Sequence, residues 1–282
     1  MTRFLVLPRS ESLVGPEDPA VEGAVRALRL SEVYCPADCA WYHGARPLLR
    51  ALGLGLFKGI EKQVEYFGGP LGARARSRSH PRVLIAGSAD YAMFAVVYWI
   101  YGQEGCTPEI TVIDQCEAPL ALVRWYAERS GFAAETVATN VFAYAPSAPF
   151  DLICADAILG HFRAAERPAL FKRWHNLLRT GAAAILTTRI RDAAPDEKIS
   201  VSPKLAADLR TVALQAAGTL EEVLGISKDE IVRHVLCFAE KRRTYAVQSL
   251  DELLHQLNDA GFDVDEIADH EGGYVVISAT AL

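Results

Sequence analysis

Cys35, Cys39 and His43 recur every four residues in VYCPADCAWYHGARP, a spacing that on a helix sets two thiols and an imidazole on one face. Donors of that kind can hold zinc, but a tetrahedral site needs a fourth ligand and the sequence offers none nearby. No metal is therefore expected, and small buried thiols beside a pocket are the reading. The same stretch carries Tyr34, Trp41, Tyr42 and Arg46, whose rings and guanidinium suit the wall of a pocket; aromatic faces attract cations. His43 and His161 titrate near neutrality and are the candidate general bases, with Tyr42 beside them. Arg189 and Arg191 can grip a carboxylate with paired N–H donors. His175 falls within the helix-like RPALFKRWHNLL and reads as structural.

RVLIAGSADYAMF, residues 82–94, has the layout of a strand turning through glycine into a helix. Gly87 is alone where dinucleotide fingerprints carry three glycines; Ala89 and Tyr91 hold the other two positions, and side chains there bar a pyrophosphate. No lysine with serine or threonine follows, so a triphosphate loop is excluded as well. A nucleoside with an amino-acid tail demands less. Backbone N–H groups near Asp90 and Tyr91 can face a carboxylate at the helix start, and Asp90 can equally cap that helix. Asp114 closes the next strand, ITVID, 27 positions after Gly87, where an acid can accept from both hydroxyls of a ribose.

These residues need a scaffold. The chain has 282 residues, 51% of them hydrophobic, with a net charge of −6 and a pI near 5.7. It can bury a large core, and no basic field draws it to nucleic acid or to an anionic membrane. Its longest apolar run, Tyr91 to Tyr101, is too short to span a bilayer, and the FLVL start is cut by Pro8, so a cytoplasmic protein is expected. Six cysteines in such a length do not make a disulfide framework. Residues 1–80 read as a helical lid or substrate region, closed by the linker-like GGPLGARARSRSHP. Arg74, Arg76 and Arg78 there suggest either a phosphate strip or a solvated connector. From 81 to 191, and again from 245 to 282, strands alternate with helices, which requires right-handed crossovers and a mostly parallel sheet. Ser249 is placed to cap the last helix and Gly261 to stop it, and a turn at Gly272 and Gly273 joins a terminal antiparallel pair. Residues 192–244 form a helical insertion, a lid or a face for pairing subunits as a homodimer.

With these motifs in order, the sequence resembles the class I S-adenosylmethionine-dependent methyltransferases. VLIAGSADYAMF corresponds to that family's first motif, ITVIDQC to its ribose acid, VATNVF to its adenine segment, FDLICADAILGHF to its fourth strand and loop, and LLRTGAAAILTTRI to the turn into strand five. The resemblance covers 82–191 and 245–282. It implies a Rossmann-like α/β fold with a seven-stranded, mostly parallel sheet and an antiparallel terminal strand. It implies S-adenosyl-L-methionine as cofactor, with Gly87, Ser88, Ala89 and Asp90 at the amino-acid tail, Asp114 and Gln115 at the ribose, Asn140 and Val141 at the adenine, and Asp156 near the sulfonium. Two positions depart from the family. Ile85 stands where an acid usually anchors the ammonium, with Asp156 as a substitute, and Asn140 stands where aspartate is common. The expected activity is in-line methyl transfer to a small molecule held in an enclosed pocket, Tyr34, Trp41, Arg46, Arg189 and Arg191 contacting the acceptor. The rivals are an enzyme that transfers or cyclises the aminocarboxypropyl arm of the same donor, and a non-catalytic scaffold.

Overall fold

In β1 (Arg82–Ala86) successive side chains are buried on opposite faces: Val83 and Ile85 on one, Leu84 and Ala86 on the other. β4 (Phe150–Asp156) and β5 (Leu178–Arg189) divide in the same way, Leu152, Cys154 and Ile185 from Ile153, Ala155 and Leu186. A strand apolar on both faces must be covered on both, which is why helices bracket this sheet. The computed structural model describes residues 19–52, 59–77, 80–194 and 196–282. The FLVL start and Arg78 lie outside them.

The sheet has seven strands in the order β3-β2-β1-β4-β5-β9-β8, built from those above with β2 (Glu109–Asp114), β3 (Glu135–Ala138), β8 (Phe262–His270) and β9 (Tyr274–Ala281). β9 runs antiparallel between β5 and β8, and the β3 to β5 pairings are parallel. One face is covered by α3 (Ile60–Ala75), α4 (Ala92–Gln103) and α5 (Glu117–Ser130). The other is covered by α6 (Arg167–Leu177), whose Trp174 is fully buried, and α9 (Leu250–Asp259). Ser249 caps α9 by accepting from Glu252 N at 3.2 Å, and Gly261 turns the chain at φ +97°, as its sequence position foretold.

A third core joins α1 (Pro19–Tyr34) and α2 (Ala40–Ala51) to α7 (Pro203–Leu224) and α8 (Lys228–Lys241). Val21, Leu48 and Leu49 meet Leu209, Ile231, Val235 and Phe238 there. Apolar residues of the insertion are thus used within the chain, while Leu214 of α7 stays exposed. Short strands β6 (Lys198–Ser200) and β7 (Arg243–Tyr245) pair at its base.

The GGPLGA stretch is not a linker. It forms the end of α3, because Phe67, Leu71 and Ala75 are buried in the α4-facing core, and that burial outweighs three glycines and Pro70. Arg74 pairs with Asp265 and Arg76 with Glu104, so neither forms a phosphate strip. No described helix is long and apolar enough to cross a membrane.

Candidate functional site

β1 neighbours β2 on one side and β4 on the other, so strand order reverses there, and in open sheets of this kind a ligand crevice lies above the carboxyl ends at such a point. Gly87 begins the turn at φ +81°, a left-handed conformation where a Cβ would also come within 2.7 Å of Ile158 Cδ1. Its N–H donates to Ile113 O at 2.9 Å, tying the turn to β2. Asp114, half-buried, accepts from Ser88 N at 3.0 Å and from Cys116 N at 2.8 Å. Burial raises its pKa, and backbone N–H donors from Ser88, Cys116 and Gln115 oppose the rise. Asn140 and Gln115 are exposed beyond the strand ends, and Asn140 Oδ1 accepts from Phe142 N in a side-chain turn. Val141 is half-buried beside them.

Tyr91 does not stand in the crevice. It is buried, stacks on Tyr126 at 4.5 Å between ring centroids, and fills the place beside Gly23 in α1. The third glycine position is therefore filled by core packing, and the expectation that this side chain obstructs a ligand is corrected.

Beneath the turn runs a buried polar chain that the sequence reading did not find. Arg50 of α2 donates Nε to Asp90 Oδ2 at 3.1 Å and Nη2 to Asp90 Oδ1 at 3.3 Å, both side chains being almost wholly buried. Arg50 Nη1 also donates to Gln63 Oε1 at 3.2 Å, and Gln63 Nε2 donates to Asp156 Oδ2 at 2.7 Å. Thr187 Oγ1 completes the chain on Asp156 Oδ1 at 2.5 Å. Asp90 accepts from Ala92 N at 2.8 Å as well, so it starts α4 while neutralising Arg50. Next to Asp156, Ala157 is held at φ +54° by its N–H bond to Thr187 O at 3.1 Å. Ile85 is fully buried in the core, so the first strand presents no acid to the crevice. Arg50 and Gln63 left no periodic signal; a lone arginine inside LLRALGL was the only clue.

The second wall is made of side chains. Tyr42 lies 6.1 Å from His161 between ring centroids, edge to face, and stacks on Phe238 of α8 at 6.0 Å, while Trp41 meets Phe238 at 5.8 Å. Gly160 lets Thr244 approach the loop after β4, where a Cβ would meet its side chain at 3.2 Å. His161 is crowded by neighbouring atoms yet keeps an exposed surface. Burial lowers its pKa, and Arg242 and Arg46 lower it further. Arg46 itself is opposed by burial, but Tyr42, Asp90, Asp156 and Tyr274 outweigh that and raise it. Arg191 and Arg242 are depressed by burial and then by neighbouring arginines, Arg189 among them for both. Arg189 lies over the ring of Tyr274 at 5.7 Å. Arg46, Arg189, Arg191 and Arg242 thus form one positive cluster rather than a solvated pair. Arg242, hidden in KRR, was missed because such a run ordinarily faces water.

Tyr34 ends α1, exposed, and a turn at Pro36–Cys39 separates it from α2, so the single helix expected through residues 34–46 is two helices. Cys35, Cys39 and His43 consequently do not share one helix face. They converge all the same, with Cys35 Sγ 3.3 Å from His43 Nδ1. His175 lies away from the crevice, 3.3 Å from Leu282 O.

No family model matches the chain, and no curated protein matches it. Solved structures do. The pyocyanin biosynthetic protein PhzM is similar with a TM-score of 0.52 at 15% identity, over 85% of this chain and 58% of its own. Magnesium protoporphyrin IX methyltransferase ChlM from Synechocystis PCC 6803, with bound SAM, gives 0.51 at 11%, over 82% and 84%. The S-adenosylmethionine-dependent methyltransferase SibL, in its apo form, gives 0.51 at 17%, over 94% and 70%. The fold is that of the class I S-adenosylmethionine-dependent methyltransferases. This chain spans 58% of the length of PhzM. Its Gly87 and Asp114 occupy adjacent strand ends at the sheet's switch point.

Proposed function

We propose that the protein is an S-adenosylmethionine-dependent methyltransferase acting on a small molecule that carries an anionic group. The observation that supports it best is the pairing of Ser88 N with Asp114 Oδ2 at 3.0 Å beside the left-handed Gly87. That pairing fixes a carboxylate at the strand edge beside a turn whose N–H groups are set by the backbone, which suits a ribose and an amino-acid tail. Asn140 and the exposed Phe142 would meet the adenine, and Ser88 to Asp90 the tail. The donor supplies a methyl group on positive sulfur. The protein's own task is to hold an acceptor in line with it, exclude water, and take up one proton when the nucleophile is an O–H or N–H.

His161 suits that last task. Its depressed pKa keeps the imidazole neutral at physiological pH, ready to accept a proton as the new bond to carbon forms and the bond to sulfur breaks. Tyr42 supplies an aromatic face and a hydroxyl beside it. The four arginines favour an acceptor with a carboxylate, which Arg189, Arg191 and Arg242 would grip. The helices α1, α2, α7 and α8 would serve as the enclosing lid. Calorimetry with S-adenosylmethionine and S-adenosylhomocysteine, followed by a product screen with methyl-labelled donor against carboxylate-bearing acceptors, tests the proposal. Binding of both nucleosides and a labelled product are expected; silence of both in calorimetry overturns it in favour of a scaffold.

Ile85 supports a second reading. With no acid at that position and Asp156 already bonded to Gln63 and Thr187, the donor's tail would sit differently, which fits transfer or cyclisation of the aminocarboxypropyl arm. Methylthioadenosine among the products, in place of S-adenosylhomocysteine, selects this reading.

A further inference from the structure

We propose that Cys35, Cys39, His43 and Cys116 bind one zinc ion that fastens the α1–α2 corner to the rim of the crevice. The sequence lacks a fourth ligand near the first three. The fold provides it: Cys116, 81 positions beyond Cys35, brings its sulfur to 3.2 Å from Cys35 Sγ and 3.9 Å from Cys39 Sγ. One donor atom from each of the four residues falls within 4.8 Å of all the others. Zinc–sulfur bonds of about 2.3 Å at the tetrahedral angle place sulfurs roughly 3.8 Å apart, and sulfur–nitrogen pairs slightly closer. The 3.9 Å pair already fits; the 3.2 Å pair would widen by about 0.6 Å, and donors as far apart as 4.8 Å would close by about 1 Å. Three thiols and one imidazole are also a common closed set for structural zinc, soft enough to select it over magnesium or calcium.

The surroundings agree with that assignment. Crowding three thiols in a partly buried corner is unfavourable by itself. Burial pushes Cys39 up to about 11, and Cys116 adds to the rise; Cys35 is raised further. A dication reverses this, since each sulfur then binds as thiolate and releases its proton to solvent as a zinc–sulfur bond forms. Cys116 is the N-cap of α5, where the helix dipole favours the anionic complex that three thiolates and one neutral imidazole make around zinc. Burial lowers the pKa of His43 to about 4, so its ring is neutral and its Nδ1 already faces the sulfurs. No comparable set occurs among the described residues.

The location gives the ion a purpose. Cys116 follows Asp114 by two residues, and its N–H holds Asp114 Oδ1 at 2.8 Å. Cys39 and His43 bracket Trp41 and Tyr42 at the start of α2. One ion would therefore fix both walls of the crevice, and it would assign His43 to the metal, leaving His161 as the base.

The assignment does not depend on methyl transfer, and its test does not use activity. The full chain, reduced and dialysed against zinc and then against metal-free buffer, should retain about one zinc per molecule by mass spectrometry of the metal. Loading with Co(II) instead should give the intense visible absorption and thiolate charge-transfer band of a tetrahedral site. Cys116→Ser should remove most of the zinc, and Cys237→Ser, outside the cluster, should leave it unchanged. The cobalt spectrum of the unaltered chain decides the matter if Cys116→Ser does not fold. Less than about a tenth of a zinc per chain with no tetrahedral cobalt spectrum overturns the proposal. So does a Cys35–Cys116 disulfide that persists after reduction and excludes metal.

Discussion

The wall from Gly87 to Asp114 and the wall from Tyr42 across to Arg242, the two sides of the proposed site, are made of different material. The first is mainly backbone: a left-handed glycine, N–H groups of a turn, and one acid whose orientation is set by two main-chain donors. All of it lies within 30 residues of sequence. The second is side chains drawn from α2, the loop after β4, the end of β5, the end of α8 and the start of β9. A backbone wall serves any ligand with one shape and tolerates substitution at most positions. A side-chain wall sets which acceptor fits, and it must be braced. Arg50 is the brace, joining α2 to Asp90 and, through Gln63, to Asp156.

The largest effect is therefore expected at the brace. Arg50→Ala leaves Asp90 buried without its partner, which in such pairs costs about 3–5 kcal/mol. Urea denaturation should show that loss. Replacing both members, as Arg50→Met with Asp90→Asn, should recover part of it, because no lone charge is then buried. A loss under about 1 kcal/mol for the single change would mean that the two walls are not joined through this pair.

Next in size comes chemistry. His161→Ala should lower kcat about a hundredfold or more with little change in donor affinity. The unaltered enzyme should have the acid limb of its kcat/KM profile below pH 6.5, since burial, Arg242 and Arg46 all disfavour the imidazolium. The sign follows from protonation: as pH rises through the folded pKa the ring loses its proton and activity appears. An acid limb at or above 6.5, or one that survives His161→Ala, assigns the base elsewhere. Tyr42→Ala should depress turnover in the same direction, by less.

The backbone wall answers to a binding measurement instead. Asp114→Ala should weaken S-adenosylmethionine more than tenfold by calorimetry while a carboxylate acceptor binds as before; unchanged donor affinity removes the ribose role. Gly87→Ala should cost about 1–2 kcal/mol in stability as well, since it places a Cβ in the left-handed region against Ile158.

The two walls also differ in how far sequence revealed them. The strands, their parallel order and the antiparallel end could be read because continuous apolar runs, glycine turns and crossover lengths are local properties. Gly87 and Asp114 were found for the same reason. Trp41, Tyr42 and His161 stood out by residue type, but nothing local placed Tyr42 against His161, or Arg242 beside Arg46. Charge runs such as KRR ordinarily face water, and only the return of the insertion through β7 turns this one inward. GGPLGA misled because its composition is that of a linker, while its fate is decided by what Phe67 and Leu71 touch. Cys116 could not be linked to Cys35 from spacing at all.

Arg74 supplies the smallest expected effect and shows where both walls end. It pairs with Asp265 at 2.7 Å and donates to Thr280 Oγ1 at 2.9 Å, across α3 and the β8–β9 edge, with both charged groups partly in water. Pairs of that exposure contribute about 0–1 kcal/mol, and salt screens them. Arg74→Ala should therefore shift the urea midpoint only slightly and leave donor affinity, turnover and inhibition by added phosphate unchanged. A turnover loss comparable with that of Tyr42→Ala would extend the acceptor wall to the far sheet edge. It would also restore a ligand role to the arginine-rich stretch that the fold otherwise commits to helix packing and surface pairs.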